Sequence, residues 1–151
     1  MAKEQEYIFV KLGDIKGVAT DANYKDQVVL QHMSYSINQA GHWEEQDKLS
    51  GRITTFSDLS VTKLLDASSP AIATACALKT QIPQAVISVT SGTKDCYYKL
   101  TLDKVIISNV STSISGGEAH PTESFTLSFR KGTWEYGTAK GGYDLDKNIK
   151  V

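Results

Sequence analysis

The residues of this chain that could do chemistry are three histidines, two cysteines and a large number of serines. His32, His42 and His120 never fall at the i, i+4 spacing of a helical metal pair, so no metal centre is expected. Cys76 and Cys96 lie 20 residues apart with no histidine at zinc-ligand spacing, which argues against a metal ribbon or a redox pair. Free, mostly buried thiols are expected, with one disulfide as the alternative. No serine sits in Gly-x-Ser-x-Gly, so a nucleophile elbow is absent. Gly13 and Gly17 lack the third glycine and the strand-before, helix-after context of a phosphate cradle. Glu118 and His120 could meet a distant carboxylate, but such pairs arise by chance in loops. The expectation is a chain with no catalytic residue, no metal and no cofactor.

The elements that would position any functional residue follow from composition and period. The 151 residues, 40% apolar and 22% charged, suit one domain over residues 1–151. Sixteen Lys plus Arg against 17 Asp plus Glu give a formal charge of -1, which lacks the electrostatic footprint for binding nucleic acid. No apolar run approaches the roughly 20 residues that span a bilayer, and the opening Met-Ala-Lys-Glu-Gln-Glu is no secretory signal. No membrane insertion is expected.

Most apolar residues alternate with polar ones in segments of strand length, so the chain reads as mainly β. Residues 7–12 form a first strand, closed by Gly13-Asp14 and Lys16-Gly17. From Val28 to Asn38, Val29, Met33, Tyr35 and Ile37 point one way and His32, Ser34, Ser36 and Asn38 the other. Residues 39–52 lose the alternation and make a long hairpin connection, a natural place for an interaction. Its Trp43 either folds back on the core or anchors a partner. Ile53, Leu59 and Val61 point inward from the next strand.

One helix is signalled by Ser69 as N-cap and Pro70 in the first turn, with Ile72, Ala75, Cys76 and Lys79 at i, i+3, i+4, i+7 and a stop near Thr80. Asp66 lies where it complements the helix dipole. Strands at 85–91 and 96–110 pair through a short turn. Residues 111–121 read as a Ser/Gly loop, and Thr122–Tyr136 as a last long strand. Within it the inward phase slips near Lys131-Gly132, which a glycine β-bulge would explain. The tail from Gly141 reads as an edge segment. These elements make a small β-barrel with one helix and a long extended loop, built for binding or assembly. The polar face of His32, Ser34 and Ser36 is either a solvated outer surface or the wall of an aqueous channel built from several copies.

In order and spacing the segments resemble the haemolysin-coregulated protein (Hcp) family, tube proteins of bacterial type VI secretion systems. The resemblance is carried by Gly13-Asp14-Ile15-Lys16-Gly17, by Leu59-Ser60-Val61-Thr62-Lys63 leading through Asp66 to Ser68-Ser69-Pro70 and Ala75-Cys76, and by Val105-Ile106-Ile107-Ser108 with Val110-Ser111. Ser115-Gly116-Gly117-Glu118, Pro121-Thr122-Glu123-Ser124, Trp134-Glu135-Tyr136 and Gly142-Tyr143-Asp144-Leu145-Asp146-Lys147-Asn148 complete it.

The resemblance implies a barrel of two packed antiparallel sheets, six copies of which close into a ring. Such rings stack into a hollow tube, propelled by a contractile sheath behind a valine-glycine-repeat spike protein and carrying small effector proteins inside. By the same resemblance, His32, Ser34, Ser36 and Ser115 face the lumen and touch effectors. Gly41, His42, Trp43, Glu44 and Glu45 lie in the loop that contacts the neighbouring ring. The implied location is the cytoplasm before export, then the extracellular space or a target cell, without a signal peptide. The polar leader Ala2–Glu6, the Val18-Ala19-Thr20-Asp21 segment and the short Lys94-Asp95-Cys96 turn depart from the family pattern and bear on loops and stacking. The end at Val151 without a fused toxin domain points to a structural subunit rather than an enzyme. The alternative from the residues alone is a monomeric barrel that binds a carbohydrate or lipid, with Trp43 and the Ser/Gly loop at its mouth.

Overall fold

The computed structural model describes residues 7–39, 42–44, 48–50, 54–91, 96–117, 120–147 and 149–151. Fourteen strands and one helix follow along these residues: β1 (Tyr7–Leu12), β2 (Val28–Leu30), β3 (His32–Ser34), β4 (Ile37–Gln39), β5 (His42–Glu44), β6 (Lys48–Ser50), β7 (Thr54–Phe56), β8 (Leu59–Leu64), α1 (Ser69–Ala77), β9 (Ile82–Thr90), β10 (Cys96–Ser113), β11 (Thr122–Ser128), β12 (Lys131–Tyr136), β13 (Ala139–Asp144) and β14 (Ile149–Lys150). Two antiparallel sheets share β10. The first runs β2-β1-β9-β10-β12-β13-β14 and the second β10-β11-β8-β3. At the far side the chain itself joins them, because β2 pairs with β1 and, one residue later, β3 pairs with β8.

That crossing reverses the side-chain phase. Val28 and Leu30 are buried, not Val29, whereas Met33 and Tyr35 pack against the core as the alternation from Val28 to Asn38 predicts. Gln31, whose N–H donates to the Thr62 carbonyl at 2.7 Å, is the residue where the strand changes sheets. Ile37 is 47% exposed, because by then the chain has left the core for the next hairpin. A second slip, the one near Lys131-Gly132, also has a corner as its cause rather than a bulge. β11 ends at Ser128 in the second sheet and β12 starts at Lys131 in the first. β10 bends to match, with Lys104 in the left-handed region (φ 55°) between the residues that pair with β12 and those that pair with β11. Asp146 closes the corner from outside, at 2.6 Å from Lys104 Nζ and 2.8 Å from Arg130 Nε. Its carboxyl pKa is held below the ordinary value by the hydrogen bonds from Lys104 and then Arg130.

The core between the sheets is filled by Val10, Leu12, Leu59, Val61, Ile87, Leu100, Leu102, Ile107, Phe125 and Leu127, each at most 2% exposed. Burying a side chain such as Phe125 contributes about 1.5–3 kcal/mol relative to leaving it in water. Helix α1 adds Ile72 and Ala75 and lies against β10. Its N-cap is Ser68, one residue earlier than the sequence predicts, and it ends at Ala77, with Lys79 (φ 51°) turning the chain towards β9. The shift has a chemical reason, for the Ser69 hydroxyl is engaged elsewhere. It donates to Glu123 and accepts from Lys63 Nζ at 3.2 Å and from the Asp66 N–H at 3.1 Å.

Lys63 and Glu123, paired in register across β8 and β11, point inward and are 0% and 1% exposed. Lys63 Nζ donates to the Leu64 carbonyl at 2.8 Å and to Asp66 at 3.0 Å, and it lies 3.4 Å from Glu123. This network fastens the start of α1 to the second sheet. Burial alone pushes the Asp66 carboxyl up, but the Ser68 hydroxyl, Lys63 and the Ser68 N–H together hold it below the ordinary carboxylate value. A carboxylate whose folded pKa is depressed stabilises the fold above its unfolded pKa, and that contribution is lost as pH falls through the folded value. The urea midpoint should therefore fall between pH 5 and pH 3, both values chosen to bracket the ordinary carboxylate pKa of about 4. Asp66→Asn should flatten that part of the profile; an equal drop in the variant would show that other carboxylates set it.

The tail does add an edge, with β13 pairing along β12 and β14 along β13. β10 runs on to Ser113, so the Ser/Gly loop starts later than the sequence predicts. Both cysteines are free; Cys76 is half-buried, and Cys96 is exposed rather than buried because it opens β10 outside the core.

Candidate functional site

In the second sheet the residues between the core positions are small and hydroxylated. β11 alternates Thr122, Ser124, Thr126 and Ser128 with Glu123, Phe125 and Leu127, and β8 alternates Ser60 and Thr62 with Leu59, Val61 and Lys63. Register aligns these into rows across the sheet. One row is His32, Thr62, Ser124, Ser111; the next is Ser34, Ser60, Thr126, Asn109; and at the other end Leu64, Thr122 and Ser113 align. A bulge between Ile107 and Asn109 sets Ser108 on the same face, where its hydroxyl donates to Asp58 at 2.6 Å and lies 2.7 Å from the Thr126 hydroxyl. The face is therefore mostly a field of hydroxyl donors and acceptors, with the His32 imidazole at one edge and the Asp58 carboxylate beside Ser108. It can hydrogen-bond many surfaces weakly and carries little charge.

Of the lumen residues expected from the resemblance, His32 and Ser34 sit on β3 in this face and are exposed. Ser36 lies just past β3, where its N–H donates to the Ser57 hydroxyl at 2.6 Å, so it belongs to the root of the long hairpin. Ser115 is exposed two residues past the end of β10, at the Leu64 end of the sheet, opposite to Ser34. Ser60, Thr62, Ser108, Asn109, Ser111, Ser113, Thr122, Ser124 and Thr126 share this face with His32 and Ser34, a placement that the sequence does not assign. The signal that reveals them is the period-2 placement of Ser and Thr in three separate segments, which matters only once register brings the segments side by side.

The described residues of the long connection are themselves β structure. β4 pairs with β7 and, farther out, β5 pairs with β6, with Trp43 opposite Leu49. His42, Trp43 and Glu44 form β5, while Gly41 and Glu45 lie outside the described residues. The root of this arm is anchored by Phe56, stacked on Phe129 at 5.0 Å and edge-on to Trp134 at 6.1 Å. Beside it the Tyr35 and Tyr98 hydroxyls meet at 2.6 Å, tying the start of the arm to β10. Burial, then the Tyr35 hydroxyl, raise the Tyr98 pKa, so the Tyr98 hydroxyl keeps its proton through the physiological range.

Among the described residues no group of three His, Cys, Asp or Glu could hold a metal ion, and no helix is long and apolar enough to cross a membrane. The geometry is that of a surface, and likeness to known proteins tells what kind. Residues 9–136 match the family described as "Type VI secretion system effector, Hcp". The chain belongs to the Hcp family. A curated relative, Protein hcp1 of Pseudomonas aeruginosa (strain PAO1), is 29% identical over 158 residues, covering 95% of this chain and 98% of the relative. The crystal structure of Hcp1 from Salmonella typhimurium superposes with a TM-score of 0.85 at 28% identity, covering 97% of this chain and 99% of that one. Hcp2 from the same organism gives 0.76 at 25% identity, over 95% and 98%. Hcp membership places the chain among the tube proteins of type VI secretion. Of the residues that carry the resemblance, Lys63, Asp66, Ser68, Ser69 and Glu123 converge in the network behind the hydroxyl face.

Proposed function

We propose that this chain is the ring-forming subunit of a type VI secretion tube. In that role six copies close into a ring with the hydroxyl face of the second sheet turned to the lumen, where it carries small effector proteins. The observation that supports it most is the state of that sheet's flanks. Among the described residues no strand pairs with the side of β3 that faces away from β8, or with the side of β10 that faces away from β11 beyond Val105, so both edges of the hydroxyl face are open. β3 and β10 run antiparallel, so β10 of one copy can extend the sheet of the next without breaking its pattern. An edge left open invites pairing with another chain, and a ring of such pairings removes every edge.

The filled core is unfavourable to the ligand-binding alternative, which needs an internal cavity between the sheets. A lumen with little charge holds cargo by shape and scattered hydrogen bonds. The arm of β4 to β7, in whose sequence Gly41, His42, Trp43, Glu44 and Glu45 fall, contacts the next ring, each contact being small and multiplied six times. The spike and the sheath are the further partners this role requires, and the product is exported from the cytoplasm. Trp43→Ala tests the division of labour: sedimentation and negative-stain imaging should show single rings but no stacked tubes at high concentration. Tubes as abundant as those of the parent chain would remove the arm from the stacking contact.

A further inference from the structure

Large apolar side chains left in water gather at one end of the hydroxyl sheet, on both of its flanks. Beside the junction of β2 and β3, Tyr7, Val18, Val29, Leu64 and Leu65 line an open groove of about 700 Å³. Val18 and Tyr7 are 45% and 42% exposed, and Leu64 and Leu65 nearly as much. At the other flank Ile114 follows the last residue of β10 and is 63% exposed. Register fixes their relative level, because Leu64 lies opposite Thr122 and Thr122 opposite Ser113, the neighbour of Ile114. Groove and isoleucine therefore stand at the two ends of one row.

Rotation about a ring axis keeps every residue at its own height. With the strands running along the axis, a copy whose β10 edge lies against β3 of its neighbour brings Ile114 to the level where the neighbour's groove opens. We propose that Ile114 of each subunit seats in the groove formed by Tyr7, Val18, Val29, Leu64 and Leu65 of the next copy, as the apolar anchor of the ring. The inference rests on the ring reading above and names the contact that closes it. A second copy is the occupant because groove and knob lie at one level on the two open edges of the same sheet. They are different surfaces, as a closed head-to-tail ring requires.

The test uses the full chain at a concentration where the parent forms rings, read by native mass spectrometry, with far-UV circular dichroism confirming that each variant is folded. Ile114→Asp and Val18→Asp, both at exposed positions, should each lower the ring population by about tenfold or more, as loss of an anchor residue does. Ile114→Val should restore it. Ile114→Asp keeps an intact groove and Val18→Asp an intact knob, so an equal mixture should form one-to-one heterodimers that grow no further. Rings that persist in both single variants, or a mixture that stays monomeric, would overturn the seating while leaving the ring reading in place. A parent chain that is monomeric throughout would overturn both.

Discussion

Lys63→Met should lower the free energy of unfolding by about 3–5 kcal/mol, because it strands the Glu123 carboxylate in the core with only the Ser69 hydroxyl for company. The other Glu123 oxygen already has no hydrogen-bond partner among the described residues. Replacing both ions, as Lys63→Met with Glu123→Leu, should recover most of the loss, since a buried pair gains little over well-packed apolar side chains once desolvation is counted. Urea denaturation of the four proteins gives the coupling directly. A double variant no more stable than Lys63→Met would mean that the network is worth far more than its desolvation cost. The network also has a positional consequence. It fixes α1 on the β8–β11 pair, and with it the strands that carry the hydroxyl rows, so the single variant should weaken ring formation as well as folding.

Gly17→Ala should cost about 3 kcal/mol, the upper end of what overpacking usually does. A methyl group there would lie 2.3 Å from the Gln27 carbonyl oxygen and 2.4 Å from the Val28 Cα, and backbone cannot move aside as a flexible side chain can. The close approach exists because the Gly17 N–H donates to the Asp26 carbonyl at 2.7 Å, which closes the loop before β2. That loop carries Val18, so the strain would reach the groove proposed to receive the neighbouring subunit. Gly116→Ala is the control: nothing lies within 4 Å of the added carbon, and its midpoint should hardly change. A similar small change for Gly17→Ala would show that the loop can yield.

The fold was legible where period and turn chemistry acted over short range. β1, the β9–β10 pair, the helix and the tail edge lie where alternation, Pro70 and the glycines put them. Alternation misleads where one run of it serves two sheets. Val29 and the Lys131-Gly132 slip both mark places where the strand turns a corner, and a corner is decided by pairing partners far away in sequence. The site was legible in part for the same reason. His32 and Ser34 show on a single strand, whereas their neighbours Thr62, Ser124 and Ser111 join them only through register. The ion network could not be foreseen from periodicity, since Lys63 and Glu123 occupy positions that the alternation marks as core; their paired burial depends on residues 60 apart.

The measurement that bears most directly on the ring is the mass of the purified chain in solution by light scattering, with negative-stain imaging of the same fraction. A particle near six times 16.5 kDa with a central hole is expected. A single species of 16.5 kDa at every concentration would contradict the account.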